Sequence, residues 1–193
     1  MARPDIKDAR REQILDAFEA CVARYGVEGA TLARAAEEAG LARALIRHNV
    51  GNRDDLMDAL VRRYIENSRE AMDAFMTALP PGNRLNTMID WLFDPQFSNS
   101  RLVQVANALI AASSNDPALA ERMQAWFGDF VGRIDAVIAA DHPKAMPAQV
   151  AAVAAGITGI YFNVEALYPL GEIKALVAAS KNAARLLASC LET

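Results

Sequence analysis

Apolar residues in this chain recur at three- and four-residue steps almost from end to end, and period-two alternation is scarce, so an all-α fold is predicted. Ile14, Leu15, Phe18, Cys21, Val22 and Tyr25 make one such stripe, on a helix that Gly26 should end. Leu56, Leu60, Tyr64, Met72, Phe75 and Met76 continue the pattern along a helix that starts near Asp54, until Pro80, Pro81 and Gly82 break it. Five further helices are expected, over 84–93, 101–112, 117–140 and 147–167, with a last one ending near Cys190. Asp116 and Pro117 supply the cap and first position of the third of these. With two short helices inside residues 31–56, the expected total is about nine.

Residues 31–56, TLARAAEEAGLARALIRHNVGNRDDL, read as a short helix, a tight turn at Gly40 and a second short helix. Ala33, Ala36 and Ala39, with Leu32 and Leu41, should give the small apolar surface that lets a second helix cross closely. The second helix should bury Leu45 and Ile46 and turn Arg43, Arg47, His48 and Asn49 outward. From Leu41 to Arg53 there are three arginines and no acid. Such a face suits phosphates and base edges. Two short helices with a cationic end also serve as plain structural corners, and the same face suits an acidic protein partner in a helical interaction module.

Together with a preceding helix over 14–25 and the RDDLMDAL that opens the next, this stretch resembles the DNA-binding domain of the TetR family of bacterial transcriptional regulators. About 50 residues carry the resemblance; beyond them it extends only to length and helical character. Thr31 falls where the family starts its second helix, Ala36 and Gly40 where it keeps the helix pair close, 43–49 over the recognition helix, and Leu56 where the fourth helix begins to pack. The chain departs from the family at Ala42, where a serine usually caps the recognition helix, at Arg47, where an aromatic usually meets a phosphate, and at Val50, commonly an aromatic.

The resemblance implies a three-helix DNA-binding domain with a helix-turn-helix over 1–64 and a helical effector-binding and dimerisation domain over 65–193. Its partners would be double-stranded DNA carrying an inverted-repeat operator, a second copy of the chain as a homodimer, and an unidentified small-molecule effector. Thr31, Arg43, Arg47, His48, Asn49 and Arg53 are the expected DNA-binding residues. Repression is the implied outcome, because a bound dimer obstructs a promoter.

Large apolar side chains in the middle helices are numerous enough to line a cavity. Met88, Trp91, Met123 and Trp126 are expected at an effector site, as are Phe127, Phe130 and Tyr161, with Gln104 and Asn107 as polar residues able to orient a ligand. Most such residues in a helical protein are ordinary core. The last two helices are candidates for a dimer interface: Ala151, Ala152, Ala154, Ala155, Gly156 and Gly159 allow close approach, and Ile173, Leu176, Val177, Ala184 and Leu187 make an apolar stripe. Packing within one chain explains the same spacing. Only the resemblance favours an interface.

A hydrophobic share of 53% with 23% charged residues excludes a disordered chain. No uncharged apolar run reaches the roughly 18 residues of a membrane span, and the start lacks a signal-like hydrophobic stretch, so a cytoplasmic protein with no membrane partner is expected. The net charge of −4 argues at first against DNA, but residues 1–65 hold 11 basic and 11 acidic side chains, so the excess of acid lies wholly in the remainder. Arg3, Lys7, Arg10 and Arg11 form a second basic cluster within reach of flanking phosphates. Two histidines and two cysteines far apart make no metal signature, and no phosphate-binding glycine loop is present. The pairs Glu37-Glu38 and Asp54-Asp55 diverge by about 100° around a helix and read as solvent-facing charges. No catalytic residue, metal or cofactor is expected.

Overall fold

The computed structural model describes residues 6–97, 99–171 and 173–191. These contain nine α-helices and no strand. By packing, the chain groups into two units that are discontinuous in sequence: the described residues up to Glu70 with Arg101–Met123, and Ala71–Ser100 with the described residues from Gln124. The described residues of 1–64, the expected reader domain, fall in the first unit. Of the amino-terminal basic cluster, Arg3 lies outside the described residues.

The first unit begins with α1 (Ile6–Gly29), which buries Ile14, Leu15, Phe18, Cys21 and Val22 as the periodicity predicts. Tyr25 departs from the stripe: it is 45% exposed, and the Arg34 guanidinium sits 4.4 Å from its ring centroid. Gly26 takes a left-handed φ of 71°, which breaks the regular ladder, yet the chain resumes helical turns as far as Gly29. Next come α2 (Leu32–Ala39) and α3 (Arg43–Val50), both packed on α1 and on each other. Then α4 (Arg53–Ala78) lays Leu56, Ala59, Leu60, Val61 and Tyr64 inward. Arg63 on α4 bonds Glu12, Asp16 and Glu19 on α1, a charge cluster that fixes the two helices side by side.

Two further elements complete this unit. Helix α6 (Ser100–Ala112) buries Val105, Ala106 and Leu109, and a 3-10 turn over Ser113–Asn115 leads to the start of α7 (Pro117–Asp141). Asp116 caps α7 as expected, its Oδ1 accepting the Leu119 N–H at 3.0 Å. Arg122 on α7 donates to Asp58 on α4 at 2.6 Å.

The second unit is built on α5 (Arg84–Leu92), the later part of α7, α8 (Pro147–Ala166) and α9 (Lys174–Ser189). Its core gathers Leu85, Met88 and Ile89 with Ile134, Ile138, Val153 and Ile157. The first turn of α5 is capped across the unit, where Asp141 Oδ2 accepts the Leu85 N–H at 2.8 Å. Gly156 sits where α8 meets α9: a Cβ there would come within 2.7 Å of Leu187 Cδ1. Close approach at Gly156 therefore serves packing within the chain. Gly159 has open space around it and, with Ala151, Ala152 and Ala155, lies on an exposed face of α8. By length and composition α8 is apolar enough to cross a membrane even though it contains Glu165, and a third of its apolar window is buried. On α9, Leu186 is 69% exposed.

Candidate nucleic-acid interface and effector cavity

The helix-turn-helix is assembled by local hydrogen bonds that its sequence supplies. Thr31 caps α2, its hydroxyl accepting the Arg34 N–H at 3.2 Å. At the other end Gly40 takes φ 64°, and the Leu41 N–H reaches back to the Ala36 carbonyl at 2.9 Å, which turns the chain out of the helix. Of the residues expected at the close crossing, Leu32 and Ala36 are buried and Ala39 is half-buried, whereas Ala33 is exposed and Ala35, which was not expected there, is fully buried. Two contacts that the sequence reading missed lock the pair to α1. Gln13 Nε2 donates to the Ala39 carbonyl at 2.9 Å, and Arg34 donates to the Gly29 carbonyl at 2.6 Å.

On α3 only Ile46 is fully buried. Leu45, expected inside, is 36% exposed. At 100° per residue, Arg43, Ala44, Arg47 and His48 fall on one arc of roughly 140° away from Ile46, and all four are exposed. Ala42 precedes the helix with extended backbone and no side-chain cap, so the expected departure from the family leaves the first turn of α3 without a capping side chain. Asn49 is half-buried, and its Nδ2 donates to the Leu45 carbonyl at 2.8 Å, which turns the amide back onto its own helix. Arg53 is half-buried as well: Nε donates to the Ala30 carbonyl at 3.0 Å and Nη2 to that of Val27. Its guanidinium is the bolt between α4 and the end of α1.

The start of α4 is set by a reciprocal cap. Asn52 Oδ1 accepts the N–H groups of Asp54 and Asp55 at 2.8 and 2.9 Å, and Asp55 Oδ2 accepts the Asn52 N–H at 2.9 Å. Asp55 is thus a capping residue, not only a solvent-facing charge. Gly51 before it has φ 84°, and a Cβ there would stand 2.4 Å from Asp55 Oδ2. The signal was present as Asn-x-x-Asp after a glycine.

No family model matches the chain. Among curated proteins it is similar to HTH-type transcriptional regulators named BetI: 28% identical to that of Stenotrophomonas maltophilia over 65% of each chain, and 29% identical to that of Serratia proteamaculans over 80% of this chain and 78% of that one. The fold recurs in a solved TetR-family transcriptional regulator from Rhodococcus sp., with a TM-score of 0.71, 17% identity, and coverage of 96% of this chain and all of the other. In fold the chain is thus similar to TetR-family transcriptional regulators. Multidrug binding protein EbrR, solved in complex with malachite green, shares the fold at a TM-score of 0.63 and 21% identity, over 94% of this chain and 97% of that one.

In the second unit a cavity of about 540 Å³ opens between the end of α5, the end of α8 and the start of α9. Phe93, Val164, Glu165 and Val177 are among the residues that line it, and none of the nine expected effector residues does. Those nine are divided: Gln104, Asn107 and Met123 lie in the first unit, the other six in the second. Met88, Met123, Trp126 and Phe130 are buried, and Phe127 is 38% exposed. Phe130 and Tyr161 stack with centroids 5.8 Å apart, and Phe162 packs edge-on to both. Burial and then the nearby charge of Glu165 push the Tyr161 hydroxyl well above its ordinary pKa. No cluster of metal-binding side chains occurs among the described residues.

Proposed function

We propose that this protein binds an inverted repeat in duplex DNA as a homodimer and releases it in response to a small molecule, acting as a repressor. The observation that carries the reading is the exposed arc of Arg43, Arg47 and His48 on α3, free of acids and held rigidly by α1 and α2 in a chain whose net charge is −4. Arg43 and Arg47 supply phosphate contacts, and His48 reaches base edges or phosphate. Thr31 places an exposed hydroxyl and the amino end of α2 toward a phosphate. Asn49 and Arg53, bonded within the chain, support the helix and its neighbour.

The open faces of α8 and α9 support the dimer in this reading. Ala151, Ala152, Ala155 and Gly159 allow two helices to approach closely, and Leu176 and Leu186 add exposed apolar area. A twofold pair would present two recognition helices, which read half-sites spaced by about 34–36 Å. The ligand acts by binding a dimer geometry that misplaces them more tightly than the one that fits, since equal affinity for both switches nothing.

Selection of genomic fragments by the purified protein, followed by sequencing, tests the reading. Recovery of one short inverted repeat near a promoter is the expected result. A diffuse set of fragments without a shared repeat would overturn it and leave electrostatic adhesion, or an acidic protein partner, as the use of the basic arc.

A further inference from the structure

The exposed face of α3 carries a large apolar side chain that phosphate contact does not explain. Leu45 is 36% exposed, and Ala44 beside it is exposed as well. Measured from the buried Ile46 at about 100° per residue, Arg43 and Arg47 lie at roughly 60° and 100°, Ala44 and His48 at roughly 160° and 200°, and Leu45 and Asn49 at roughly 260° and 300°. The two arginines therefore hold one flank, Ala44 and His48 the centre, and Leu45 and Asn49 the other flank. Asn49 is half-buried, with Nδ2 donating to the Leu45 carbonyl at 2.8 Å, so Leu45 is the side chain that the second flank presents outward.

A single exposed leucine is ordinary on a protein surface. Its place on the face proposed to meet DNA is what gives this one a role. Two arginines and a leucine on one short helix suit a surface that is anionic at its edges and apolar within. The major groove of duplex DNA is such a surface: phosphates run along its rims, and the thymine C5-methyl is the apolar group on its floor. The groove admits an α-helix. Ala44, at the centre of the face, is too small to hold the helix off that floor. A leucine pressed on a methyl takes apolar area of both out of water, which is worth about fourfold in affinity for each methyl covered.

We infer that Leu45 reads thymine: its side chain packs on the C5-methyl of one thymine in each half-site, and so selects base sequence where Arg43 and Arg47 hold phosphate. The inference rests on the proposed operator binding and adds a base-reading residue to it. The test enriches a pool of random synthetic duplexes on the full chain, once with the parent and once with Leu45→Ala. The parent should enrich an inverted repeat with a fixed thymine in each half-site, and Leu45→Ala should accept other bases there. Deoxyuridine at that thymine keeps the base pair and removes only the methyl. It should weaken binding of the parent about fourfold per half-site and leave Leu45→Ala unaffected, with affinity for a scrambled duplex the same in both proteins. A repeat without a deoxyuridine-sensitive thymine, or an effect of equal size in Leu45→Ala, overturns the thymine contact and leaves operator binding standing. No shared repeat in the parent's pool overturns operator binding and the contact together. Should Leu45→Ala lose helical content, Leu45→Gln, of similar length and without the apolar tip, takes its place in the same comparison.

Discussion

Arg47 is a side chain that departs from the pattern of the family the chain resembles, and the phosphate contact proposed for it is open to a direct test. An aromatic usually meets a phosphate at this position; here an exposed guanidinium stands on the same arc as Arg43 and His48. Replacing Arg47 with Ala should weaken binding to an operator and to a scrambled duplex by similar factors and lower the slope of log affinity against log salt by about one. A titration across salt concentrations reads both, and an unchanged slope would remove the phosphate role. Asn52 has a purely structural assignment, as the acceptor for two N–H groups at the start of α4. Asn52→Ala should cost about 1 kcal/mol and lower Tm by about 2–4 °C, with the scrambled-DNA salt slope unchanged.

At the scale of elements, α4 and α7 each run from one unit into the other, and within the first unit they are tied by Asp58. Hydrogen bonds from Arg62 and then Arg122 hold the Asp58 carboxyl below its ordinary pKa. A carboxyl depressed on folding adds stability at pH values above its unfolded pKa, near 3.9, and loses it as pH falls through the lower folded value. The stability difference between the parent and Asp58→Asn should therefore be larger at pH 7 than at pH 3. It should stay small, because more than half of the Asp58 side chain is exposed. Urea unfolding at the two pH values checks this; a difference that grows on acidification would contradict the assignment. The α8–α9 contact gives a second element-level expectation. Gly156→Ala would place its methyl 2.7 Å from Leu187 Cδ1, a side-chain tip that must turn aside, and the gain in helix propensity of about 0.5–1 kcal/mol offsets that shift, so a small change in stability is expected, with self-association intact.

For the whole molecule, the two glycines on α8 separate packing from assembly. Gly159 faces open space, so Gly159→Glu should fold with native helical content, sediment as a monomer, and bind a full operator no more tightly than a half-site. A folded, fully dimeric Gly159→Glu protein would place the interface elsewhere and leave the α3 arc untouched. Because basic and acidic residues balance over 1–65, DNA affinity should depend on salt less steeply than for a uniformly basic protein.

Helix identity and most boundaries were legible in the sequence because they are local: Thr31, Gly40, Asp116 and Pro147 punctuate the chain through groups a few residues away. The basic arc on α3 was legible for the same reason, since residues three and four apart share a face. Which face meets a neighbour was not. Leu45 is apolar yet exposed, Ala35 rather than Ala33 takes the crossing, and Gly156 faces Leu187 while Gly159, three residues on, faces nothing. Periodicity names residues that lie together; only the neighbouring helix decides which of them is covered. The cavity was further from reach, because Phe93, Glu165 and Val177 come from three segments that share no local pattern. Packing alone turned a lone glutamate in an apolar helix into a buried charge.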